Sequence, residues 1–358
     1  MKIALVSALI SGVAHAQWTV TNLAPTGATS SAALAMSGTN QAGFAAFSVA
    51  GPEHAGLWSG TAASWTDLNP AGADSSRINA TSGIQQAGYV IAGGRTKASL
   101  WSGSADSWLD LSPATSTSSQ AYSTSGTQQV GYADVGGVRR ASLWNGTPDS
   151  WQDLSPAGAT QSYALANFDG QQAGYAILSN SFGNAHAGMW TGTASSWVDL
   201  HPSSAALTGS LVYGMSASQQ AGWVTFNFNS QMTHASVWTG SAASWVDLNP
   251  AGAIQSVAVD VADGWQVGYA VVGGKPRASL WNGTAESWED LSTALPGSWG
   301  LTSARSIWSD GSTIFIAGYG HNNISGNDEA LLWSRPVPAP GAVALLTLGA
   351  LAARRRRA

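Results

Sequence analysis

A repeat of 43 to 52 residues constrains the fold more than any other feature. A Trp preceded by Leu, Val or Met recurs at Trp58, Trp101, Trp144, Trp190, Trp238, Trp281 and Trp333. Seven residues after each of the first six lies a second Trp, followed by x-Asp-Leu. No such segment follows Trp333, but a similar one, Trp18-Thr-Val-Thr-Asn22-Leu23, lies near the N-terminus. Six complete units and one split unit predict an all-β fold, a seven-bladed β-propeller over residues 17–334, whose N-terminal strand closes the last blade.

Each unit contains four short segments typical of strands, separated by Gly-rich turns. The second segment reads Gln-x-Gly-aromatic in most units, as in Gln86-Ala-Gly88-Tyr89, and its Gly occurs in all seven. A Gly inside a strand usually marks the close approach of another group, and we expect the Trp of a neighbouring blade there. The repeated Trp residues fit either a core between blades or a platform for stacking sugars, and their fixed register favours the core.

The unit also resembles the HAF family of extracellular repeats. The resemblance lies in Asp247-Leu248-Asn-Pro-Ala-Gly252, Ser256-Val-Ala258, Gln266-Val-Gly268-Tyr269 and Ala278-Ser-Leu-Trp281, and it extends over most of residues 18–333. It implies an extracellular location and no particular chemistry.

Both ends of the chain are typical of targeting segments. Residues 1–16 combine Lys2, an apolar run and Ala14-His15-Ala16, which predicts a signal peptide and export. A Pro-rich linker is expected at 335–340, then a short hydrophobic helix at 341–358 with an arginine tail. This tail resembles the PEP-CTERM sorting signal through Pro338, Pro340, Arg354, Arg355, Arg356 and Arg357, with Ala339 where the family name implies Glu. The resemblance implies an exosortase-like processing enzyme as partner, membrane attachment before processing, and release to the cell envelope, cell surface or medium; the alternative is a plain tail anchor.

Composition excludes several function classes. Charged residues make up 9% of the chain and the net charge is −5, so a nucleic-acid partner is not expected. The chain has no Cys, which excludes disulfides, thiolate metal sites and cysteine nucleophiles. His54, His186 and His234 hold equivalent positions in different units and are therefore spread around the ring. We expect no cofactor, no metal and no catalytic constellation.

The predicted axis of the ring is the best candidate for a binding site. The polar residues of the first strands that could line it are Arg77, Asn79, Tyr122, Asp260 and Arg305. Only one of them is an acid, whereas glycoside hydrolysis ordinarily uses two carboxylates. The sequence therefore favours a non-enzymatic surface protein that binds matrix polysaccharide or a protein partner. The alternative is an exported carbohydrate-active enzyme that uses a central funnel.

An ion-pair seam is predicted near one rim of the ring. A basic residue or His stands four positions before each of the first six Trp, and an Asp stands two after each second Trp. Diagonal neighbours on one sheet face would then form pairs, namely Lys97 with Asp110, Arg140 with Asp153, Arg277 with Asp290, and three His–Asp pairs. In the split unit Glu329 takes the basic position, and Asn22 replaces Asp. Alternatively, each Asp only accepts hydrogen bonds from the following turn.

Overall fold

The computed structural model describes residues 17–203, 207–226 and 232–337, and within these ranges the chain is all-β with short 3₁₀ turns. Five sheets have four antiparallel strands each, and one sheet has eight. The eight-stranded sheet consists of two four-stranded groups joined only by a parallel bridge between Ser30 and Asp328. Each four-stranded group corresponds to one sequence repeat, and we number these units in chain order.

The strands follow the same order in every unit. The innermost strands are β2 (Ser30–Ser37), β6 (Ser75–Thr81), β10 (Ser116–Ser125), β14 (Ala159–Phe168), β18 (Leu207–Met215), β22 (Gln255–Ala262) and β26 (Trp299–Ser309). The second strands are β3 (Asn40–Ala46), β7 (Gln86–Ala92), β11 (Gln128–Val135), β15 (Gln171–Leu178), β19 (Gln220–Phe226), β23 (Trp265–Val272) and β27 (Thr313–Asn322). The third strands are β4 (His54–Trp58), β8 (Arg95–Trp101), β12 (Val138–Trp144), β16 (Ala185–Trp190), β20 (Met232–Trp238), β24 (Lys275–Trp281) and β28 (Asn327–Pro336). The outer strands are β5 (Thr66–Asp67), β9 (Leu109–Asp110), β13 (Gln152–Asp153), β17 (Val198–Asp199), β21 (Val246–Asp247), β25 (Glu289–Asp290) and, for the last unit, β1 (Thr19–Asn22). The 3₁₀ turns span Ala62–Ser64, Ala105–Ser107, Pro148–Ser150, Ala194–Ser196, Ala242–Ser244, Ala285–Ser287 and Leu291–Ala294.

The N-terminal strand completes the last unit, as the repeat count predicts. Strand β1 runs antiparallel to β28, and Val20 lies opposite Trp333. Strand β28 continues to Pro336, two residues beyond the predicted end of the ring at 334. Pro336 is tolerated there because it is the terminal residue of the strand.

The predicted targeting segments fall largely outside the described residues. The signal peptide at 1–16 and the hydrophobic helix at 341–358 lie outside the described ranges, as do Pro338, Pro340 and the four arginines. Within the described ranges, no helix has the length and apolar character needed to cross a bilayer.

One hydrogen bond recurs between every pair of adjacent units. The backbone N–H of a third-strand Ala donates to the hydroxyl of a buried Ser or Thr on the innermost strand of the next unit, over 2.8–3.0 Å. The seven pairs are Ala55–Ser76, Ala98–Ser119, Ala141–Ser162, Ala187–Ser210, Ala235–Ser256, Ala278–Thr302 and Ala330–Ser31. We call this contact the inter-unit latch. Its last member joins the last unit to the first, so the units form a closed ring.

Buried apolar side chains fill the space between units. The repeated Trp at the end of each third strand is 0–1% exposed in all seven units. Trp101 packs with Ala42 and Leu68 of the preceding unit, and its indole Nε1 donates to the Leu68 carbonyl over 3.1 Å. The repeated Trp residues therefore form the core between units and present no sugar-stacking surface.

The repeated Gly of the second strand is required for a different reason from the one that the sequence suggests. A Cβ atom on any of the seven would overlap a carbonyl oxygen of the innermost strand of its own unit, as Gly174 would overlap that of Tyr163. The expected neighbouring-blade Trp is not the nearest group. Just beyond this contact the pairing of the two strands shifts by one residue in every unit, forming a β-bulge. The Gly is needed because the bulged backbone approaches so closely.

Removing one latch hydroxyl should destabilise the ring. Ser162→Ala leaves the buried N–H of Ala141 without an acceptor, which costs about 1–3 kcal/mol. Ser162→Thr keeps the hydroxyl, as Thr302 does in the last unit, and is the matched control. Chemical and thermal unfolding of the full chain measure the effect. Equal stability of the Ala and Thr variants would contradict the role of the latch.

Adding a methyl group at the bulge should be similarly damaging. Gly174→Ala forces Cβ against the Tyr163 carbonyl, and such overpacking costs about 1–3 kcal/mol. Gly209→Ala is the control, because its Cβ would find its nearest neighbours at 3.7–3.8 Å and its φ is not positive. We expect a lower melting temperature for the first variant only. Comparable melting temperatures for the two would show that the bulge does not require Gly.

Candidate functional site

The seven β-bulges turn one extra side chain per unit towards the axis of the ring. Each bulge residue is partly exposed, whereas the residue before it is fully buried. We call the set the bulge ring, and it consists of Leu34, Asn79, Tyr122, Leu165, Tyr213, Val259 and Arg305. The scaffold repeats at this point, but the side chains differ in size, polarity and charge.

The bulge ring lines an axial cavity of about 970 Å³. All seven innermost strands contribute to its wall. The five polar residues predicted for the axis also line it: Arg77, Asn79, Tyr122, Asp260 and Arg305. A volume of this size lies at the upper end of the range of small-molecule sites.

Charged side chains occupy one arc of the cavity wall. They are Glu53, Arg77, Asp260, Arg305 and Asp328, from the adjacent first, second, sixth and seventh units. Arg77 donates two hydrogen bonds to Glu53, one of them from Nε over 2.8 Å. Asp328 lies 2.9 Å from His321 Nδ1. Three of the five charges are therefore engaged in ion pairs or His–carboxylate contacts.

Asp260 is held by the innermost strand of the next unit and by its own backbone. Its carboxylate accepts from Ser306 Oγ at 2.9 Å, from the Ile307 N–H at 3.0 Å and from the Val261 N–H at 2.8 Å. Burial raises the pKa of Asp260, although these hydrogen bonds act in the opposite direction. Asp260 thus joins the sixth and seventh units beside the cavity.

Arg305 has no comparable partner. Among the described residues, its side chain makes no hydrogen bond and no ion pair, and its Nε is buried without an acceptor. Burial raises the pKa of the neighbouring Tyr269, and the charge of Arg305 partly opposes this shift. Of the two cations in the cavity wall, Arg77 is neutralised by Glu53 and Arg305 is not.

Tyrosines occupy the opposite arc. Tyr122, Tyr163, Tyr175 and Tyr213 come from the third, fourth and fifth units. The rings of Tyr163 and Tyr175 stack at 4.6 Å with 20° between their planes. Burial raises the pKa of Tyr122, so its hydroxyl remains a proton donor across the ordinary pH range. The cavity is consequently asymmetric, because its charged side chains lie in one arc, although Phe44 and Tyr319 also line that arc.

Several residues of the cavity wall are not among those predicted from the sequence. Glu53 and Asp328 occupy the same repeat position, five residues before the first Trp of their units. In the third unit this position holds Arg139, which donates a hydrogen bond to the Tyr163 hydroxyl at 2.7 Å. This repeat position could have been identified from the alignment of units. Leu34, Leu165, Tyr213 and Val259 carried no comparable signal, because a bulge is not visible in a run of small residues.

The structure brings together five of the six residue pairs expected in the seam. The closest N–O separations are 2.7–3.0 Å in His54–Asp67, Lys97–Asp110, Arg140–Asp153, His186–Asp199 and His234–Asp247. The other carboxylate oxygen accepts the backbone N–H two residues later, as Asp110 does from Ser112 at 2.8 Å. In the split unit, Asn22 Nδ2 donates to Glu329 at 2.6 Å. The Asp residues therefore contact both the Lys, Arg or His side chain and the turn.

The sixth expected pair, Arg277 with Asp290, is not in direct contact. Arg277 donates to Ser292 Oγ at 3.1 Å, and that hydroxyl donates to Asp290 at 2.5 Å. Asp290 also caps the 3₁₀ turn Leu291–Ala294 by accepting from the Ser292 N–H. The prediction of direct contact is wrong here because Ser292 lies between the two groups.

His201 lies beside the seam and differs from the three seam histidines. Its Nδ1 lies 2.8 Å from the latch hydroxyl of Ser210, and its ring stacks on His186 at 4.2 Å. Burial, together with the neighbouring His186, lowers the pKa of His201 to about 4. Within the described ranges, no three His, Asp or Glu side chains converge on a possible metal position.

Comparison with known proteins identifies the architecture. No protein-family model and no curated protein matches the chain. Solved structures do match: the propeller domain of the Trilobed protease from Pyrococcus furiosus superposes with a TM-score of 0.55 at 8% identity, covering 86% of this chain and 94% of that domain. An oligogalacturonate lyase from Vibrio parahaemolyticus gives 0.56 at 10% identity, covering 89% of this chain and 94% of the other. The fold is a β-propeller.

Some similar structures are much longer than this chain. A prolyl endopeptidase gives a TM-score of 0.53 at 10% identity, covering 87% of this chain but only 50% of its own length. The chain thus spans about half the length of that peptidase. At these identities the similarity concerns the fold alone.

The low pKa of His201 predicts a pH-dependent contribution to stability. Because the folded state disfavours the charged ring, stability present above the unfolded pKa, about 6.5, is lost progressively as pH falls towards 4. His201→Asn should reduce this loss, since Asn249 fills the equivalent position and accepts from its own latch Ser256 over 2.6 Å. Melting temperatures at pH 7 and pH 4.5 measure the difference. Parallel losses in the two proteins would contradict the assignment.

Proposed function

We propose that this chain is an exported seven-bladed β-propeller, envelope-associated or secreted, that binds an extracellular matrix polysaccharide in its axial cavity. The proposal of seven blades rests on the match between seven sequence repeats and the four-stranded units joined by the latch. The proposal of export rests on the sequence of residues 1–16 and on the resemblance to extracellular repeats and to the sorting signal.

The single observation that carries the binding role is the asymmetric cavity. β-Propellers in general have a central channel, but packing alone does not require four tyrosines on one arc of this cavity of about 970 Å³ and an unpaired arginine on the other. Aromatic faces pack against the apolar faces of sugar rings, and polar side chains among them fix orientation. The bulge ring supplies both kinds of group at the same depth.

The geometry gives less support to the enzymatic alternative. Glycoside hydrolysis needs one carboxyl group to donate a proton and another to act as base or nucleophile. Glu53 is held by Arg77 and Asp328 lies against His321, while Asp260 accepts three hydrogen bonds. The three cavity carboxylates are therefore committed to contacts within the protein, and binding without cleavage is the function that the site supports best.

A glycan array probed with the full chain tests this proposal. We expect binding to a subset of polysaccharide fragments, weakened about 10-fold or more by Tyr213→Ala, because that ring contributes apolar surface worth about 1.5–3 kcal/mol when covered. Leu109→Ala is the matched control, since both side chains are 39% exposed and Leu109 lies on the outer strand β9. No bound glycan, or equal binding by both variants, would contradict the proposed site.

A further inference from the structure

The charge of Arg305 indicates which group the ligand carries. Resting on the proposed function, we propose that Arg305 binds the carboxylate of a uronic acid residue, so that the ligand is an acidic polysaccharide with sparse carboxylates. The guanidinium is a planar donor that matches a carboxylate in bidentate geometry.

The position of Arg305 is not one that the fold requires to be basic. The other bulge-ring members are apolar, aromatic or amide side chains in the same backbone setting. Asn79, for example, donates to the Ala121 carbonyl of the next unit at 2.8 Å and so has a partner in the scaffold. Arg305 has no such partner among the described residues. A cation placed by a bulge and left unpaired in the cavity wall fits a role in binding an anion.

Neighbouring groups do not neutralise Arg305. Asp260 lies on the adjacent innermost strand, but its carboxylate faces Ser306 and the backbone N–H groups of Ile307 and Val261. Glu53 is turned towards Arg77, and Asp328 towards His321. With three acids and two arginines, the arc carries a formal charge of only −1. A densely charged polyanion gains no net attraction there, whereas one isolated carboxylate could reach the guanidinium.

The rest of the cavity favours a sugar as the bearer of that carboxylate. Tyr122 and Tyr213 stand on the arc opposite Arg305, so a ligand that spans the cavity meets aromatic rings at one end and a cation at the other. A uronic acid residue followed by neutral sugars has this combination of one charge and several ring faces. Salt should weaken its binding, because part of the attraction is between charges.

The NMR signal of the Arg305 side-chain Nε–H in the full chain provides a direct test. Arg305→Lys removes this signal and so assigns it. The probes are D-glucuronate, D-glucose as the neutral analogue, and acetate as the carboxylate without a sugar. We expect D-glucuronate to shift the signal saturably and more tightly than acetate, and D-glucose to leave it unmoved.

Binding by variants completes the test. Arg305→Gln should weaken D-glucuronate binding about 10- to 100-fold, the usual effect of losing a charged hydrogen-bonded contact. Lys275→Gln removes one charge from the exposed first residue of β24, outside the cavity, and should have no effect. An unchanged melting temperature shows that each variant is folded. Circular dichroism and the melting curve of Arg305→Lys give the same check for the charge-preserving change.

The outcomes separate this inference from the proposed function. If D-glucose and D-glucuronate bind equally in the cavity and Arg305→Gln changes neither, the role of Arg305 is wrong and sugar binding stands. If acetate binds as tightly as D-glucuronate and D-glucose does not bind, polysaccharide binding is wrong while the anion site stands. If no probe moves the Arg305 signal, the inference fails.

Discussion

The backbone N–H of the third-strand Ala explains much of how the units are joined. In six of the seven units the carbonyl of this Ala accepts a hydrogen bond from the Leu that follows the outer strand, at 2.7–2.8 Å. Its N–H, however, finds its acceptor in the neighbouring unit. A buried N–H without an acceptor is costly, so each unit is fully satisfied only when the next one is in place. The Ser of Ser-x-Ala and the Ala of Ala-x-Leu-Trp are therefore two halves of one contact that closes the ring.

The latch and the bulge divide the repeat into constant and variable positions. The Ser, Gly, Ala and Trp positions determine the hydrogen bonds and the packing between strands and units. The bulge residue directly follows Ser-x-Ala and takes little part in these hydrogen bonds and this packing. Its side chain therefore differs between units, for example Leu34 in the first and Arg305 in the last. The site can thus change its chemistry while the scaffold keeps its contacts.

Much of this structure could be predicted from the sequence, because the repeat exposes it. The strand order, the closure by residues 19–22 and the seam at Lys97 and Asp110 all follow from equivalent positions in successive units. The repeated Gln of the second strand has a similar explanation. The Oε1 of Gln86 accepts a hydrogen bond from the Gly103 N–H in the turn after the third strand. In the last unit no such turn follows, and Ile316 stands in place of this Gln.

The bulges could not be predicted, since a shift in register depends on contacts between strands. The ion pair between Glu53 and Arg77 could not be predicted either, because it depends on how the first and second units pack.

Closure by strand β1 has a consequence for how the molecule folds. Residues 19–22 pair with residues 331–334, so the contact with the greatest separation along the chain forms between the two ends of the ring. Long-range pairings are slow because the entropy of closing the loop is lost before the contact is gained. Strand β1 must therefore wait for nearly the whole repeat array, and until then β28 presents an unprotected edge. Ring closure should be the kinetically late event, and a chain delayed at that stage has an exposed strand through which two molecules could associate.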